Sequence, residues 1–142
     1  MEFCLGGTPE SCYLRLTSIP CAIRFQLPDG YRLHPGRGVT LVPGEDAVMI
    51  GYGPVLLGEA TRAAELLADA GISLRVVNLP WLNRVDPAWL ADALTGVRWL
   101  FALDNHYVTG GQGQLLAATL AELELPARPR IVAGSPSTSC PT

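Results

Sequence analysis

The sequence predicts an α/β fold: a mostly parallel sheet with helices on both faces. Two observations carry this. From Ala47 onward, short apolar runs alternate with segments rich in helix formers, and such alternation builds parallel sheets. The runs Ala47–Gly51, Leu74–Leu79 and Trp99–Leu103 are mainly apolar, as strands covered on both faces must be.

Each element has its own justification. Gly38-Val39-Thr40-Leu41-Val42 reads as a strand stopped by Pro43-Gly44. After the Ala47–Gly51 strand, Pro54 suits the first turn of a helix. That helix runs from Val55 to Ala70 with Leu56, Ala60, Ala63, Ala64 and Leu67 as its apolar stripe, and Gly71 ends it. Leu74–Leu79 is closed by Pro80. Asp86-Pro87 is a cap followed by a first-turn proline, opening a short helix to about Leu94 that Gly96 ends. Gly110-Gly111-Gln112-Gly113 leads into a helix from about Gln112 to Glu124, and Arg130–Ala133 is the last strand.

The first 44 residues differ in character. Gly and Pro are frequent and helical periodicity is absent. Four Arg stand against Glu2, Glu10 and Asp29, whereas residues 45–142 carry six Arg against ten acids. Cys12–Leu16 reads as one short strand, and residues 28–38 as a linker with a turn at Asp29-Gly30.

Composition bounds the function. The 142 residues are 49% hydrophobic and 16% charged, which gives one domain with a core and excludes wholesale disorder. A net charge of −3 argues against nucleic acid as a partner, because phosphate binding needs a basic face. No apolar run reaches the roughly 20 residues of a membrane helix. No secretory leader pattern opens the chain, and Cys4, Cys12, Cys21 and Cys140 form no C-x-x-C pair or zinc spacing. A reduced, cytoplasmic chain without membrane contact is the expectation.

In open α/β sheets, ligands bind at the carboxyl ends of the strands. Candidate residues there are Gly51 and Gly53, then Asp104, Asn105 and His106, then Gly110, Gly111 and Gly113. Gly51-x-Gly53 fails the dinucleotide fingerprint, since position 56 is Leu56 and position 78 is Asn78 rather than an acid. Asp104 and Asn105 read as groups that bond nearby backbone, with the glycines permitting close packing. His106 has no second titratable partner in sequence to tune it as an acid or base. His34 reads as a solvated linker residue. No G-x-S-x-G elbow, P-loop or metal-ligand spacing is present.

The order of these pieces resembles the C-terminal domain of transketolase-like, thiamine-diphosphate-dependent enzymes. Tyr13-Leu14-Arg15-Leu16 is similar to the last strand of that family's pyrimidine-binding domain. Gly44-Glu45-Asp46-Ala47-Val48-Met49-Ile50-Gly51-Tyr52-Gly53 resembles its Gly-acidic turn, apolar strand and glycine before a helix, here continuing through Ala63-Ala64-Glu65-Leu66-Leu67. Leu74 to Asp86 is similar to the next strand and its loop. Leu103-Asp104-Asn105-His106 with Gly110-Gly111-Gln112-Gly113 resembles a strand end bearing acidic or amide residues and His, then Gly-Gly-x-Gly. Asp104 stands where the family often has Glu.

The resemblance implies a three-layer α/β/α domain whose five-stranded sheet has its first strand, Val39–Val42, antiparallel to the rest. It divides the chain into residues 1–35, a remnant of the pyrimidine-binding domain plus linker; 36–134, the C-terminal-like domain; and 135–142, a flexible tail. It implies a structural and assembly role in an enzyme moving two-carbon ketol units between sugar phosphates. The family's Gly-Asp-Gly…Asn metal motif is absent, so no catalytic residue, metal or cofactor is expected in this chain. Thiamine diphosphate and Mg would belong to partner domains or subunits in a homo- or hetero-oligomer. Arg15 is the candidate contact for substrate phosphate. The alternatives are the beta component of a 2-oxo-acid dehydrogenase, a deoxyxylulose-phosphate synthase, or a free-standing module binding a small anion in the Gly53/His106 crevice.

Overall fold

The computed structural model describes residues 2–16, 18, 20–105 and 107–133. The elements in chain order are α1 (Glu2–Gly6), β1 (Val39–Val42), β2 (Ala47–Gly51), α2 (Pro54–Asp69), β3 (Leu74–Asn78), α3 (Pro87–Ala93), β4 (Trp99–Asp104), α4 (Gln112–Glu122) and β5 (Arg128–Ala133). The sheet order is β1-β3-β2-β4-β5. β1 is antiparallel to β3, and the other pairs are parallel. The expected five-stranded mixed sheet is therefore present, with the antiparallel strand where it was expected.

Strand alternation sorts the core into two layers. Val48 and Ile50 of β2, Val77 of β3, and Leu100 and Ala102 of β4 face α3 and α4, where Leu90, Leu94, Leu116 and Leu120 meet them. Ala47, Leu74 and Val76 face the other way, toward Leu57, Ala60 and Ala64 of α2. This is the period-2 geometry of strands buried on both sides. The α2 stripe is rotated from the sequence expectation. Leu57 and Thr61 are buried while Leu56 and Ala63 lie at the margin. Helix α2 packs on β1, β2 and β3, so Leu56 falls beside the sheet rather than over it.

The strand expected at Cys12–Leu16 does not form. Its only routes into the sheet are the β1 and β5 edges, and it lies along neither. Tyr13 is 92% and Leu16 79% exposed. A five-residue helix, α1, precedes it, which propensity did not reveal. Side-chain anchors hold this arm to the loop after β3: Phe3 meets Trp81 edge-on at 5.3 Å, and Arg84 pairs with Glu10 at 2.9 Å. The turn at Asp29-Gly30 is present, with Tyr31 N–H donating to Pro28 O at 3.1 Å, and His34 is exposed as expected. Asp86 caps α3 by accepting from the N–H groups of Ala88 and Trp89 at 2.9 and 3.2 Å. Arg37 joins the same carboxylate at 2.7 Å and fixes the linker there. No helix among the described residues is long and apolar enough to cross a membrane. Cys4, Cys12 and Cys21 are free thiols.

Candidate functional site

The sheet order decides where a crevice can open. β2 sends its loop to α2 on one face, and the neighbouring β4 sends its loop to α4 on the other. Chains leaving adjacent strand ends in opposite directions part there, and such a seam is where open α/β sheets take ligands. Tyr52 stands at the end of β2, and Asp104 and Asn105 at the end of β4.

Asp104 is 1% exposed and fully engaged. Oδ1 accepts from the Gln112 N–H at 3.1 Å, and Oδ2 accepts from the Gly113 N–H at 2.8 Å. Its carboxylate thus serves as the cap of α4, a negative group on the positive end of a helix dipole, supplied from a strand. The glycines make this approach possible. A Cβ on Gly111 would lie 2.7 Å from Asp104 Oδ2, and one on Gly113 would lie 2.9 Å from that oxygen and 2.8 Å from Ile131 Cγ2.

The Tyr52 hydroxyl reaches across the seam, 3.2 Å from Asp104 Oδ1 and 3.1 Å from Asn105 Oδ1. It accepts from the Asn105 N–H at 3.4 Å. Arg15 Nη1 already donates to Asn105 Oδ1 at 3.0 Å, which leaves the phenol proton to Asp104. Burial, and then the nearby Asp104 carboxylate, push the Tyr52 phenol above its ordinary range, because ionising it would place a second negative charge there.

Two open clefts flank this seam. One, of about 380 Å³, is lined by Arg15, Leu16, Ser18, Asn105 and the turn Tyr52 to Leu56; the other, of about 360 Å³, by Tyr13, Arg15, Tyr52, Leu82 and Gly110 to Gln112. Arg15 and Tyr52 border both. The start of α4 is closed to an outside anion, since Asp104 holds its amides. The start of α2 is different: Gly53, at φ 74°, caps it with no side-chain acceptor, and Pro54 follows. That start and the Arg15 guanidinium face one cleft, a combination suited to a small anion.

The structure thus gathers Arg15, Gly51, Gly53, Asp104, Asn105, Gly110, Gly111 and Gly113 at one sheet edge. His106 lies outside the described residues. Sequence reading missed Tyr52 and Gln112. Gln112 is buried, and its amide donates to Leu79 O and Trp81 O at 2.8 and 2.9 Å, tying α4 to the loop after β3. The signal for Tyr52 was a phenol placed between two glycines at a strand end, where an apolar ring and a polar tip are both useful. Among the described residues, no group of three or more His, Cys, Asp or Glu could hold a metal ion.

Comparison with known proteins agrees with this geometry. The family model described as "Transketolase, C-terminal domain" matches residues 36–140. The chain is 31% identical to one of the two kinds of chain suggested by its name, an apulose-4-phosphate transketolase subunit of Actinobacillus succinogenes, over 66% of this chain and 30% of that protein. It is 27% identical to the 1-deoxy-D-xylulose-5-phosphate synthase of Trichormus variabilis, over 79% of this chain and 19% of that one. A solved split-gene transketolase, an inactive beta4 tetramer, superposes with a TM-score of 0.68 at 30% identity, covering 75% of this chain and 35% of its own. The chain therefore spans less than a third of the curated relatives named here. With the family match reaching from the linker past β5, and with an antiparallel first strand and a seam between β2 and β4, the chain belongs to the transketolase C-terminal domain family.

Proposed function

We propose that this chain supplies the C-terminal, assembly-bearing part of a transketolase-like enzyme that moves two-carbon ketol units between sugar phosphates. Partner domains or subunits carry the rest of the active site. The observation that carries this reading is Arg15. The arm delivers it to the carboxyl edge of the sheet, Asn105 holds one nitrogen, and its remaining donors face the cleft beside the uncapped start of α2. That arrangement suits the phosphate of a sugar entering from a partner's active site.

The residues here do not fit the metal–diphosphate end of thiamine diphosphate. Mg²⁺ takes oxygen ligands, and the one buried carboxylate among the described residues, Asp104, is already committed to two backbone amides and Tyr52. In this reading the cofactor lies on the partner, the chain is inactive alone, and the loop from Asp104 to Gly113 shapes the crevice rather than moving protons. Cytoplasmic location follows from the same reading.

Reconstitution tests it. This chain is mixed with a chain carrying the diphosphate- and pyrimidine-binding parts, and ketol transfer from a sugar phosphate is followed. Activity in the mixture, with none from this chain alone, is the expected result. Calorimetric binding of thiamine diphosphate and Mg²⁺ to the isolated chain tighter than about 100 μM would overturn it. Because relatives include a deoxyxylulose-phosphate synthase, the same mixture is assayed with a 2-oxo acid as donor; a preference for that donor would move the chain to that branch.

A further inference from the structure

The α2 side of the sheet is only half covered. Helix α2 packs on β1, β2 and β3, while α4 packs on β4 and β5 from the opposite side. Among the described residues no helix lies over β4 and β5 on the α2 side. Trp99, Phe101 and Leu103 of β4 face that way, and their register partners Arg128, Arg130 and Val132 of β5 face with them. Val132 is 51% exposed. Sheet faces of this kind are normally buried.

The charge on this face is specific. Arg98, Arg128 and Arg130 surround the Trp99 indole, with guanidinium carbons 5.9, 5.7 and 5.2 Å from its ring centre. All three arginines are exposed, and among the described residues none meets a carboxylate. They are half of the arginines in a region, residues 45–142, that is acidic elsewhere. The outer face of α2 is the complement. It exposes Glu59, Glu65 and Asp69 against the single Arg62, with Leu66 among them, 62% exposed.

We infer that this half-open face is a docking surface for a second copy of this chain, and that the occupant is the second copy's α2. A twofold axis parallel to the strands makes the contact reciprocal. Two sheets face each other, and between them lie the two α2 helices side by side, each filling the other's vacant half. Such a contact closes on itself, as isologous dimers require. It also sets the ends in register. Trp99 and its arginines lie at the amino ends of β4 and β5, and the carboxyl end of α2, bearing Glu65, Leu66 and Asp69, returns to that same end of the sheet. Leu66 then meets the Trp99 ring while the carboxylates meet guanidinium forks already ordered by the indole. The inference stands apart from the ketol-transfer reading, since it concerns the α2 side of the sheet and not the crevice.

Sedimentation equilibrium of the full chain at micromolar to millimolar concentration tests it. The expected species has twice the 15.1 kDa chain mass and weakens as NaCl rises from about 0.05 to about 0.5 M. The double variant R128E/R130E, and separately E65R/D69R, should each weaken self-association by more than about 100-fold, because like charges then face each other. An equimolar mixture of the two variants should recover the dimer, since each α2 then meets a sheet of opposite charge. Circular dichroism checks that the variants fold, as exposed substitutions should allow. A wild-type monomer throughout the range would overturn the inference, as would an assembly that persists in both double variants or a mixture that fails to recover.

Discussion

Tyr52 and Asp104 meet phenol to carboxylate at 3.2 Å across the seam between β2 and β4, although one ends the first parallel strand and the other ends the third. The contact bridges the two loops whose parting opens the crevice. Removing the hydroxyl leaves one seam-side interaction of the buried Asp104 unmade, so Tyr52→Phe should destabilise the chain by about 1–2 kcal/mol in urea unfolding.

The same phenol makes a prediction about alkaline pH. Its pKa lies above the ordinary value of about 10.0 because burial and the Asp104 charge favour the neutral form. The unfolded chain therefore loses the proton first as pH rises. The stability due to this shift is complete below pH 10 and drains away above it. Tyr31, raised by burial alone, acts in the same direction. Thermal midpoints from pH 8 to 11 should fall, and less steeply in Tyr52→Phe. An identical slope in the variant would show that other groups govern the loss.

Asp86 acts on the acid side. The Trp89 N–H at the start of α3, helped by Arg37, holds its carboxyl below the usual value of 3.8. A depressed pKa gives stability that is present above the unfolded value and disappears as pH falls through the folded one. Melting followed from pH 6 to 2.5 should show a decline below about pH 4.5 that Asp86→Ala makes shallower, with lower stability for the variant at pH 6.

Gly113→Ala should be among the more damaging small substitutions, costing about 1–3 kcal/mol. The added methyl meets Ile131 Cγ2 at 2.8 Å and Asp104 Oδ2 at 2.9 Å, and neither belongs to a loose side chain. Gly6→Ala, where a Cβ meets nothing within 4 Å, is the control and should change stability little. Denaturant midpoints of the two variants decide the matter.

Arg15→Ala should leave the fold intact, since the residue is exposed and its bond is to Asn105, itself at the exposed rim. In the reassembled enzyme it should raise KM for phosphorylated sugars by roughly tenfold or more, the size of one charge-assisted hydrogen bond. Unphosphorylated analogues should be little affected. Equal losses on both substrate types would show that the arginine holds the arm instead.

The sheet was legible because its strands are mainly apolar and their ends carry unambiguous stops. Ala47–Gly51 matches the reading at both ends, and Asp86-Pro87 opens α3 as a cap followed by a first-turn proline should. The arm was not legible. Cys12–Leu16 has strand-favouring residues, but a strand needs a neighbour, and sequence pattern cannot say whether one exists. The α2 stripe was misread by one residue because Thr61 closes its hydroxyl onto Leu57 O at 2.9 Å and so can be buried, which a hydrophobicity count scores as polar. At the seam, the glycines and Asp104 were marked by their spacing. Tyr52 was not, since its partners arrive only after two crossovers, and Gln112 hid among the glycines that make room for it.

That late arrival links recognition to folding. Tyr52 can find Asp104 only after β3 and β4 have docked on either side of β2 and α4 has been capped. No partly folded chain lacking β4 can hold the crevice. Any anion that settles there binds the completed domain alone, and it must raise the melting temperature in proportion to the logarithm of its concentration once above its dissociation constant. A thermal shift is therefore also an assay for what the crevice accepts.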